Sequence, residues 1–210
     1  MLFPEEYIDL KMPDADVRYY PGFLTKAKAD YYFERLLCNM EWQQDNITLF
    51  GKTYLQPRLT ALYGNNGMPY TYSNITMRPK KFTKGLLEIK EAIETLIHIQ
   101  FTSCLANLYR NGQDSNGWHA DDEKELGDKP IIASLSLGAE RIFHFKYKFD
   151  KTLKERLTLK HGSLLIMKGN TQKFWLHQIP KTNKEVGQRI NLTFRIIQQK
   201  NRDPSIPALS

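Results

Sequence analysis

The 210-residue sequence contains only two cysteines, and it has no long apolar run. Cys38 and Cys104 stand in apolar surroundings without the spacing of a metal cluster, so we expect two reduced, packed thiols of an intracellular protein. No stretch approaches the roughly 20 apolar residues of a membrane helix. The start of the chain also lacks a basic stretch followed by an apolar core. These absences predict a location away from membranes: cytoplasm or nucleoid in a bacterium, nucleus in a eukaryote.

The sequence also lacks internal repeats, low-complexity tracts and a convincing linker, which predicts one domain over residues 1–210, in a monomer, with a frayed tail at 198–210. Acidic residues are fewer than basic ones, 23 against 30, which gives a formal charge of +7 and a pI near 9.3. This balance favours a polyanionic partner such as nucleic acid, although many basic proteins bind none.

Two helices are predicted by their apolar periodicity, one after a Thr25 cap and one over Leu86 to Ile97. From Phe101 onward the period changes to that of short strands, which begin with Ser103 to Tyr109 and end with Arg189 to Ile197. Pro13 to Pro21 is predicted to be an irregular lead-in. Strands preceded by helices favour an α+β fold, in which a double-stranded β-helix, or jelly roll, has the N-terminal helices packed on one sheet.

Three side chains are candidate metal ligands. Residues i and i+2 of a strand point the same way, so His119 and Asp121 can bind one ion together. The third ligand is His177, in an apolar run that ends at Pro180 and that we interpret as a neighbouring strand. Two imidazoles and one carboxylate occupy one face of an octahedral ferrous ion and leave the opposite positions open. A His-x-Asp pair alone is weak evidence, so its context matters.

That context is the segment from Arg189 to Arg195, whose alternation places two arginines, Asn191 and Thr193 on one face of a strand. A guanidinium grips a carboxylate through two parallel hydrogen bonds, and buried arginines are costly without an anionic partner. An edge strand whose polar face meets water is the alternative. Because the segment follows His177 closely, the pattern favours an anion site beside the metal.

Taken together, these motifs resemble a known family. Asn107-Leu108-Tyr109, Trp118 to Glu123, Ser134 to Gly138, His177 and Arg189 to Arg195 are similar, in order and spacing, to the AlkB family of iron and 2-oxoglutarate-dependent nucleic-acid dealkylases. The likeness is greatest to the branch that repairs duplex DNA, and it runs from about Tyr19 to Ile197.

The resemblance implies a single dioxygenase domain, with helices and a substrate-binding, nucleotide-recognition lid in about 1–100, a jelly-roll catalytic core in 101–197 and a tail in 198–210. It implies Fe(II) held by His119, Asp121 and His177, which would be the catalytic centre. It also implies 2-oxoglutarate as co-substrate, with its far carboxylate on Arg189. The remaining cofactor-binding residues would be Asn107, Tyr109, Asn191 and Arg195.

The same resemblance implies oxidative removal of N-methyl groups from bases such as 1-methyladenine and 3-methylcytosine, with release of succinate and formaldehyde, in repair of alkylated DNA. Phe50 would be an inserted finger and Arg58 a contact to the flanking strand. Tyr72 would stack on the flipped base, and Asp122 with Glu123 would favour its cationic form. Core packing of Phe50 and a solvated turn at Glu123 are the alternatives.

Two rival classes remain open from the sequence. An iron oxygenase that acts on RNA or on a protein side chain would keep the metal ligands and Arg189 but would not need Phe50. A non-catalytic nucleic-acid binder would keep the charge but has no use for His177. We expect His98, His144 and His161 to lie outside the metal site.

Overall fold

Antiparallel strands dominate the computed structural model, which describes residues 6–49, 51–65, 70–72 and 75–198. Its strands are β1 (Ile8–Asp9), β2 (Asp16–Tyr20), β3 (Asn46–Leu49), β4 (Lys52–Leu55), β5 (Leu59–Gly64), β6 (Tyr70–Tyr72), β7 (Ile75–Met77), β8 (Ser103–Tyr109), β9 (Asn116–His119), β10 (Ile132–Gly138), β11 (Arg141–Tyr147), β12 (Lys154–Leu159), β13 (Ser163–Lys168), β14 (Trp175–Ile179) and β15 (Arg189–Arg195). Its α-helices are α1 (Lys26–Asn39), α2 (Lys84–Ile97) and the short α3 (Thr171–Phe174), and a 3-10 turn covers Lys124–Leu126.

The strands form two main sheets. The major sheet has seven strands in the order β1-β2-β13-β10-β15-β8-β5, and the minor sheet has four in the order β12-β11-β14-β9. Two separate hairpins pair β3 with β4 and β6 with β7. The predicted α+β jelly roll is confirmed. The major sheet also includes β1, β2 and β5, which precede residue 101. It therefore extends beyond the predicted catalytic core of residues 101–197.

The major sheet separates two apolar layers because its strands alternate. On one face, residues such as Ala106, Leu135 and Leu192 pack with Leu36 of α1 and Ile93 of α2. On the other face, Leu105, Ile132 and Leu165 pack against minor-sheet residues such as Phe145 and Trp175. Helix α1 begins after Thr25, as the sequence predicts, whereas α2 begins at Lys84, two residues before the predicted Leu86. The side chains of Thr25 and Thr83 accept hydrogen bonds from the first turns of the two helices.

Two of the sequence predictions are wrong. The segment from Pro13 to Pro21 contains β2, which pairs antiparallel with β13 and buries Val17 and Tyr19 against the minor sheet. Only two apolar residues of β2 follow the alternation, and the flanking prolines favoured an irregular segment, so the sequence pattern did not predict this strand. Cys38 is exposed on α1, whereas Cys104 is buried, and burial raises the pKa of the Cys104 thiol.

No helix in the described part of the chain combines the length and apolar character that a bilayer crossing demands.

At the end of β10, Gly138 lies where the helical layer packs closely on the major sheet. Its φ is +86°, and an added Cβ would lie 2.4 Å from the Gln188 carbonyl oxygen and 2.6 Å from the Phe33 ring. Gly51 has a similar φ of +76°, with no described heavy atom within 4 Å of the added Cβ. We predict that Gly51→Ala lowers the free energy of unfolding by about 1 kcal/mol through backbone strain alone. Gly138→Ala should lower it by about 3 to 5 kcal/mol, because backbone and ring must move.

Urea unfolding of both variants checks this prediction. Similar losses in the two variants would show that contact with Phe33 and Gln188 does not constrain Gly138.

Candidate metal centre

The three candidate ligands converge between the two sheets. His119 ends β9, Asp121 follows it, and His177 lies in β14 directly opposite His119 in the strand register. Ligand atoms of the three residues all lie within 4.8 Å of one another. The imidazole centroids of His119 and His177 are 4.3 Å apart, and His177 stacks on Phe143. The chain therefore brings the three groups together at one point, as a shared ion requires.

Asp121 is held on two sides. Its Oδ1 accepts a hydrogen bond from Nη2 of Arg195, and its Oδ2 lies 3.6 Å from Nε2 of His177. Its backbone N–H donates to Oε1 of Gln172, at 2.9 Å. One carboxylate oxygen is thus anchored while the other faces the imidazoles. A polar group that fixes a metal ligand in this way keeps its orientation for the ion.

The environment favours the protonation states that a metal site requires. Burial lowers the pKa of His177 to about 3. Burial also lowers the pKa of His119. For Asp121, burial alone would raise the pKa, but the positive charge of Arg195 and its hydrogen bond to the carboxylate outweigh that effect and leave the pKa lowered. Neutral imidazoles and an ionised carboxylate are the forms that bind metal ions.

His119 has a defined orientation. Its Nδ1 lies 2.8 Å from the carbonyl oxygen of Gly117, and because a carbonyl only accepts, Nδ1 carries the proton. The lone pair is then on Nε2, which lies 3.2 Å from the amide nitrogen of Asn116.

A polar pocket on the major sheet faces the three ligands. The inward residues of β15 line it together with Asn107 and Tyr109 of β8. Arg189 is only 1% exposed, its guanidinium carbon lies 5.1 Å from the Tyr109 ring centroid, and its Nη2 donates to Oγ of Ser136 at 2.9 Å. Within the described residues, its Nε and Nη1 have no hydrogen-bond partner. Burial lowers the pKa of Arg189 to about 10.

Two serines that the sequence analysis did not assign to the site contact its residues. Ser134 and Ser136 lie in β10, beside β15, and the Asn191 amide donates to Oγ of Ser134 at 2.7 Å. Alternation in the Ser134 to Gly138 motif would have placed both hydroxyls on one face, but only the pairing of β10 with β15 shows which residues they meet. Gln172 was also missed, because nothing in its local sequence indicates a contact with Asp121.

The residues present fit an iron ion with a dicarboxylate beside it. A His, Asp and His set offers three ligands and leaves coordination positions open. A buried guanidinium with unpaired N–H groups is costly unless an anion meets it, and Arg189 offers two donors to such a group.

The predicted substrate contacts have different outcomes. Arg58 is 4% exposed and turns inward, where its Nε donates to Oδ1 of Asn107 at 2.8 Å and its Nη1 to the Ser115 carbonyl. The guanidinium is therefore held inside the protein, and its contact with a flanking strand stays a prediction. Arg58 instead orients Asn107. Phe50 and the side chain of Tyr72 lie outside the described residues.

Asp122 and Glu123 lie beside the candidate metal centre. Asp122 is exposed, and its carboxylate lies 3.1 Å from Nζ of Lys148. That lysine also donates to the carbonyl of Gln172, at 2.9 Å. Glu123 is half-buried at the start of the 3-10 turn. Their proposed contact with a methylated base stays a prediction.

The three remaining histidines lie elsewhere. His98 ends α2 in a left-handed conformation, and His144 is on the far face of β11. His161 connects Gly138 to Asp30, since its Nδ1 accepts from the Gly138 N–H and its Nε2 lies 3.0 Å from the carboxylate.

Comparison with known proteins agrees with this site. The family model described as the 2OG-Fe(II) oxygenase superfamily matches residues 16–195, which contain every candidate ligand and pocket residue.

Two groups of curated relatives are similar over most of the chain. The bovine (Bos taurus) alpha-ketoglutarate-dependent dioxygenase alkB homolog 3 is 47% identical over 186 residues, which are 84% of this chain and 64% of that protein. The human (Homo sapiens) DNA oxidative demethylase ALKBH2 is 37% identical over 188 residues, 85% of this chain and 72% of that protein. The chain thus spans slightly less than two thirds of the bovine relative.

A solved structure, "The structure of OsALKBH1", has a TM-score of 0.61 at 18% identity and covers 85% of this chain and 97% of its own, which shows a shared fold. The chain therefore belongs to the 2OG-Fe(II) oxygenase superfamily and, within it, to the AlkB family. The superfamily takes its name from its cofactors, Fe(II) and 2-oxoglutarate, and the His119, Asp121 and His177 cluster offers a site for the metal.

Gln172 should control metal affinity through Asp121. We predict that Gln172→Leu weakens Mn(II) binding about 10- to 100-fold, because the buried Asp121 N–H loses its acceptor and the ligand loses its orientation. Calorimetric titration of Mn(II), used as an oxygen-stable probe, measures the affinity. The control is Gln113→Leu, at an exposed glutamine whose amide donates only to the Thr182 carbonyl. Equal Mn(II) affinities in both variants would remove Gln172 from the site.

We expect the buried charge of Arg189 to destabilise the folded protein when no anion is bound. We predict that Arg189→Met raises the free energy of unfolding of the ligand-free protein by about 1 to 2 kcal/mol, because it removes a buried, incompletely paired charge. The same change should abolish the rise in melting temperature on addition of 2-oxoglutarate. Thermal unfolding with and without the co-substrate measures both effects.

The control is Arg141→Met. Arg141 is similarly buried, but its guanidinium donates to the carbonyls of Asn111, Asp114 and Pro180. Its loss leaves three acceptors unpaired and should lower stability by about 1 to 3 kcal/mol. A loss of the same size in Arg189→Met would contradict the prediction.

Proposed function

We propose that this protein removes methyl groups from the ring nitrogens of damaged DNA bases, of the 1-methyladenine and 3-methylcytosine type, in direct repair of alkylation damage. The observation that carries the proposal is the convergence of His119, Asp121 and His177 opposite a buried arginine, Arg189, whose Nε and Nη1 have no hydrogen-bond partner among the described residues. The AlkB family membership supports the chemistry, and the name of the ALKBH2 relatives supports the substrate.

In this proposal, each group of residues has a separate task. His119, Asp121 and His177 hold Fe(II), while Arg189 binds the far carboxylate of 2-oxoglutarate. Asn107, Tyr109, Asn191 and Arg195 complete the pocket. Bound Fe(II) and 2-oxoglutarate supply the oxidising power of dioxygen, so that one oxygen atom enters succinate, formed with carbon dioxide, and the other enters the N-methyl group. The resulting N-hydroxymethyl group releases formaldehyde and leaves an N–H on the base.

The residues of the chain govern the conditions for this reaction. Arg195 keeps Asp121 ionised, and burial keeps the imidazoles neutral. Phe143 and Ile179 give the pocket an apolar wall that excludes bulk water. No side chain serves as a nucleophile, so the role of the protein is to bind, orient and exclude.

Electrostatics supports a methylated base as substrate. Methylation at a ring nitrogen makes adenine or cytosine cationic, and Asp122 directly follows the ligand Asp121. A carboxylate near a cationic ring favours that form. The net charge of +7 supports binding of the polyanionic backbone that carries the base.

The alternative is an oxygenase of the same cofactor requirement that acts on RNA or on a protein side chain. The AlkB homolog 3 relatives are named as dioxygenases, and their name specifies no substrate. Phe50, the residue on which duplex specificity depends, lies outside the described residues.

The proposal is tested with oligonucleotides of one sequence that carry a single 1-methyladenine or 3-methylcytosine, as single-stranded DNA, duplex DNA and RNA. With Fe(II), 2-oxoglutarate and ascorbate, we predict equal amounts of succinate and formaldehyde from at least one DNA form. His177→Ala should lose at least about 100-fold in formaldehyde release while it still binds the oligonucleotide, which distinguishes an enzyme from a binding protein.

Release from RNA alone would replace the proposal with its alternative. Release from no oligonucleotide, in a protein that binds Fe(II) and 2-oxoglutarate, would direct the search to protein substrates.

A further inference from the structure

The outer face of the minor sheet, which points away from the major sheet, is exposed and basic. Alternation assigns Phe143, Phe145 and Leu157 to the inner face, where they pack between the sheets. Lys146 of β11 and Lys154 and Arg156 of β12 therefore point outward. Glu155 is the only acidic residue in the four strands, and alternation puts it on the side of Leu157. Three cations thus share a sheet face without a carboxylate from its own strands.

The placement of these cations is unfavourable in the protein alone. Lys146 and Lys154 are direct cross-strand partners, and Arg156 is opposite His144. Like charges in directly opposite positions destabilise an antiparallel pair. Lys154 and Arg156 are exposed and Lys146 is half-buried. Cations held close together at an accessible surface, at a cost in stability, are typical of a surface that receives an anion.

Trp118 adds an aromatic group to the same face. Its side chain is next to His119 in sequence, is 38% exposed, and lies under Nζ of Lys146, which is 4.5 Å from the ring centroid. Exposed indole rings beside cations are what single-stranded nucleic acids need, because bases stack on aromatic rings while lysine and arginine meet the phosphates. Open sheet faces serve as such platforms in nucleic-acid-binding proteins.

The position of this face relates it to the metal centre. β9 is an edge strand of the minor sheet, so His119 lies on its inner side and Trp118 on its outer side. A nucleic-acid strand whose base lies at the metal centre would therefore reach the outer face by passing around the β9 edge of the minor sheet.

We propose that the outer face of the minor sheet, through Trp118, Lys146, Lys154 and Arg156, binds a single-stranded segment of nucleic acid that flanks the reacting base. This inference rests on the proposed function only in taking the substrate to be a nucleic acid. The surface is separate from the pocket that holds the base, and it contributes affinity without sequence preference.

The test measures binding without catalysis. Fluorescence anisotropy of an unmodified 20-nucleotide thymidine oligonucleotide is recorded between 50 and 300 mM NaCl, without Fe(II) or 2-oxoglutarate. Because each phosphate contact contributes about 0.7 to the salt slope of a single strand, Lys154→Gln/Arg156→Gln should reduce that slope by about 1.4. The control, Lys26→Gln/Lys28→Gln, removes the same charge from α1, a helix that packs on the major sheet.

Trp118 provides an independent measurement. Trp118→Ala should weaken binding of the oligonucleotide about 5-fold or more, whereas Trp118→Phe, which preserves a stacking surface, should recover most of the affinity. Circular dichroism confirms that each variant is folded. The inference is overturned if Lys154→Gln/Arg156→Gln keeps the salt slope of the unchanged protein, as a surface for an acidic protein partner would predict, or if the α1 control lowers the slope equally.

The binding and demethylation assays separate the two proposals. If the unchanged protein releases no methyl groups but Lys154→Gln/Arg156→Gln still lowers the salt slope of binding, only the proposed function is contradicted. Methyl release with no effect of that variant on binding contradicts the outer-face surface alone.

Discussion

The two-residue period of β15 is the constraint on which the rest of this structure depends. Near the centre of the major sheet, Ile190, Leu192 and Phe194 enter the apolar layer beneath the helices. The same geometry sends Arg189, Asn191, Thr193 and Arg195 into the pocket between the sheets. A shift of one residue would reverse both faces and bury two guanidinium groups among leucines, so the apolar layer and the cofactor pocket fix the register together. Stability of the helical layer and formation of the site are consequences of one pattern.

The second consequence is an electrostatic imbalance in the ligand-free protein. Arg195 is matched by Asp121, whereas Arg189 has no carboxylate partner in the described part of the chain, where it contacts Ser136 and the ring of Tyr109. Such a site is less stable than an apolar core of the same size. The pocket is therefore suited to an anion, and the proposed contact of Arg189 with 2-oxoglutarate would explain why β15 keeps a buried arginine.

The sequence predicts those parts of the fold and site that depend on local periodicity. Thr25 and the apolar positions after it define α1, and the alternation of Arg189 to Arg195 defines β15, because both patterns are contained in a single element. The convergence of His177 with His119 was predictable only by interpreting two short runs as neighbours. Contacts between segments that are distant in sequence could not be predicted, because no local pattern indicates them. Examples are the contacts made by Gln172, Ser134 and Arg58. Val17 and Tyr19 in β2 were missed for the same reason, since a short strand is stabilised by the sheet that it joins.

The site also couples the two sheets. The candidate metal ligands lie at the end of β9, at the second residue after it and in β14 of the minor sheet, whereas the candidate dicarboxylate contacts belong to β8 and β15 of the major sheet. Arg195 and Asp121 form the direct ionic contact between them. A ligand that reaches both sets binds only when the sheets are packed, so it stabilises the whole sandwich by linkage. The same reasoning makes the effect reciprocal: metal binding that orders Asp121 also orders Arg195 and the pocket beside it, so that metal and co-substrate should strengthen each other's binding.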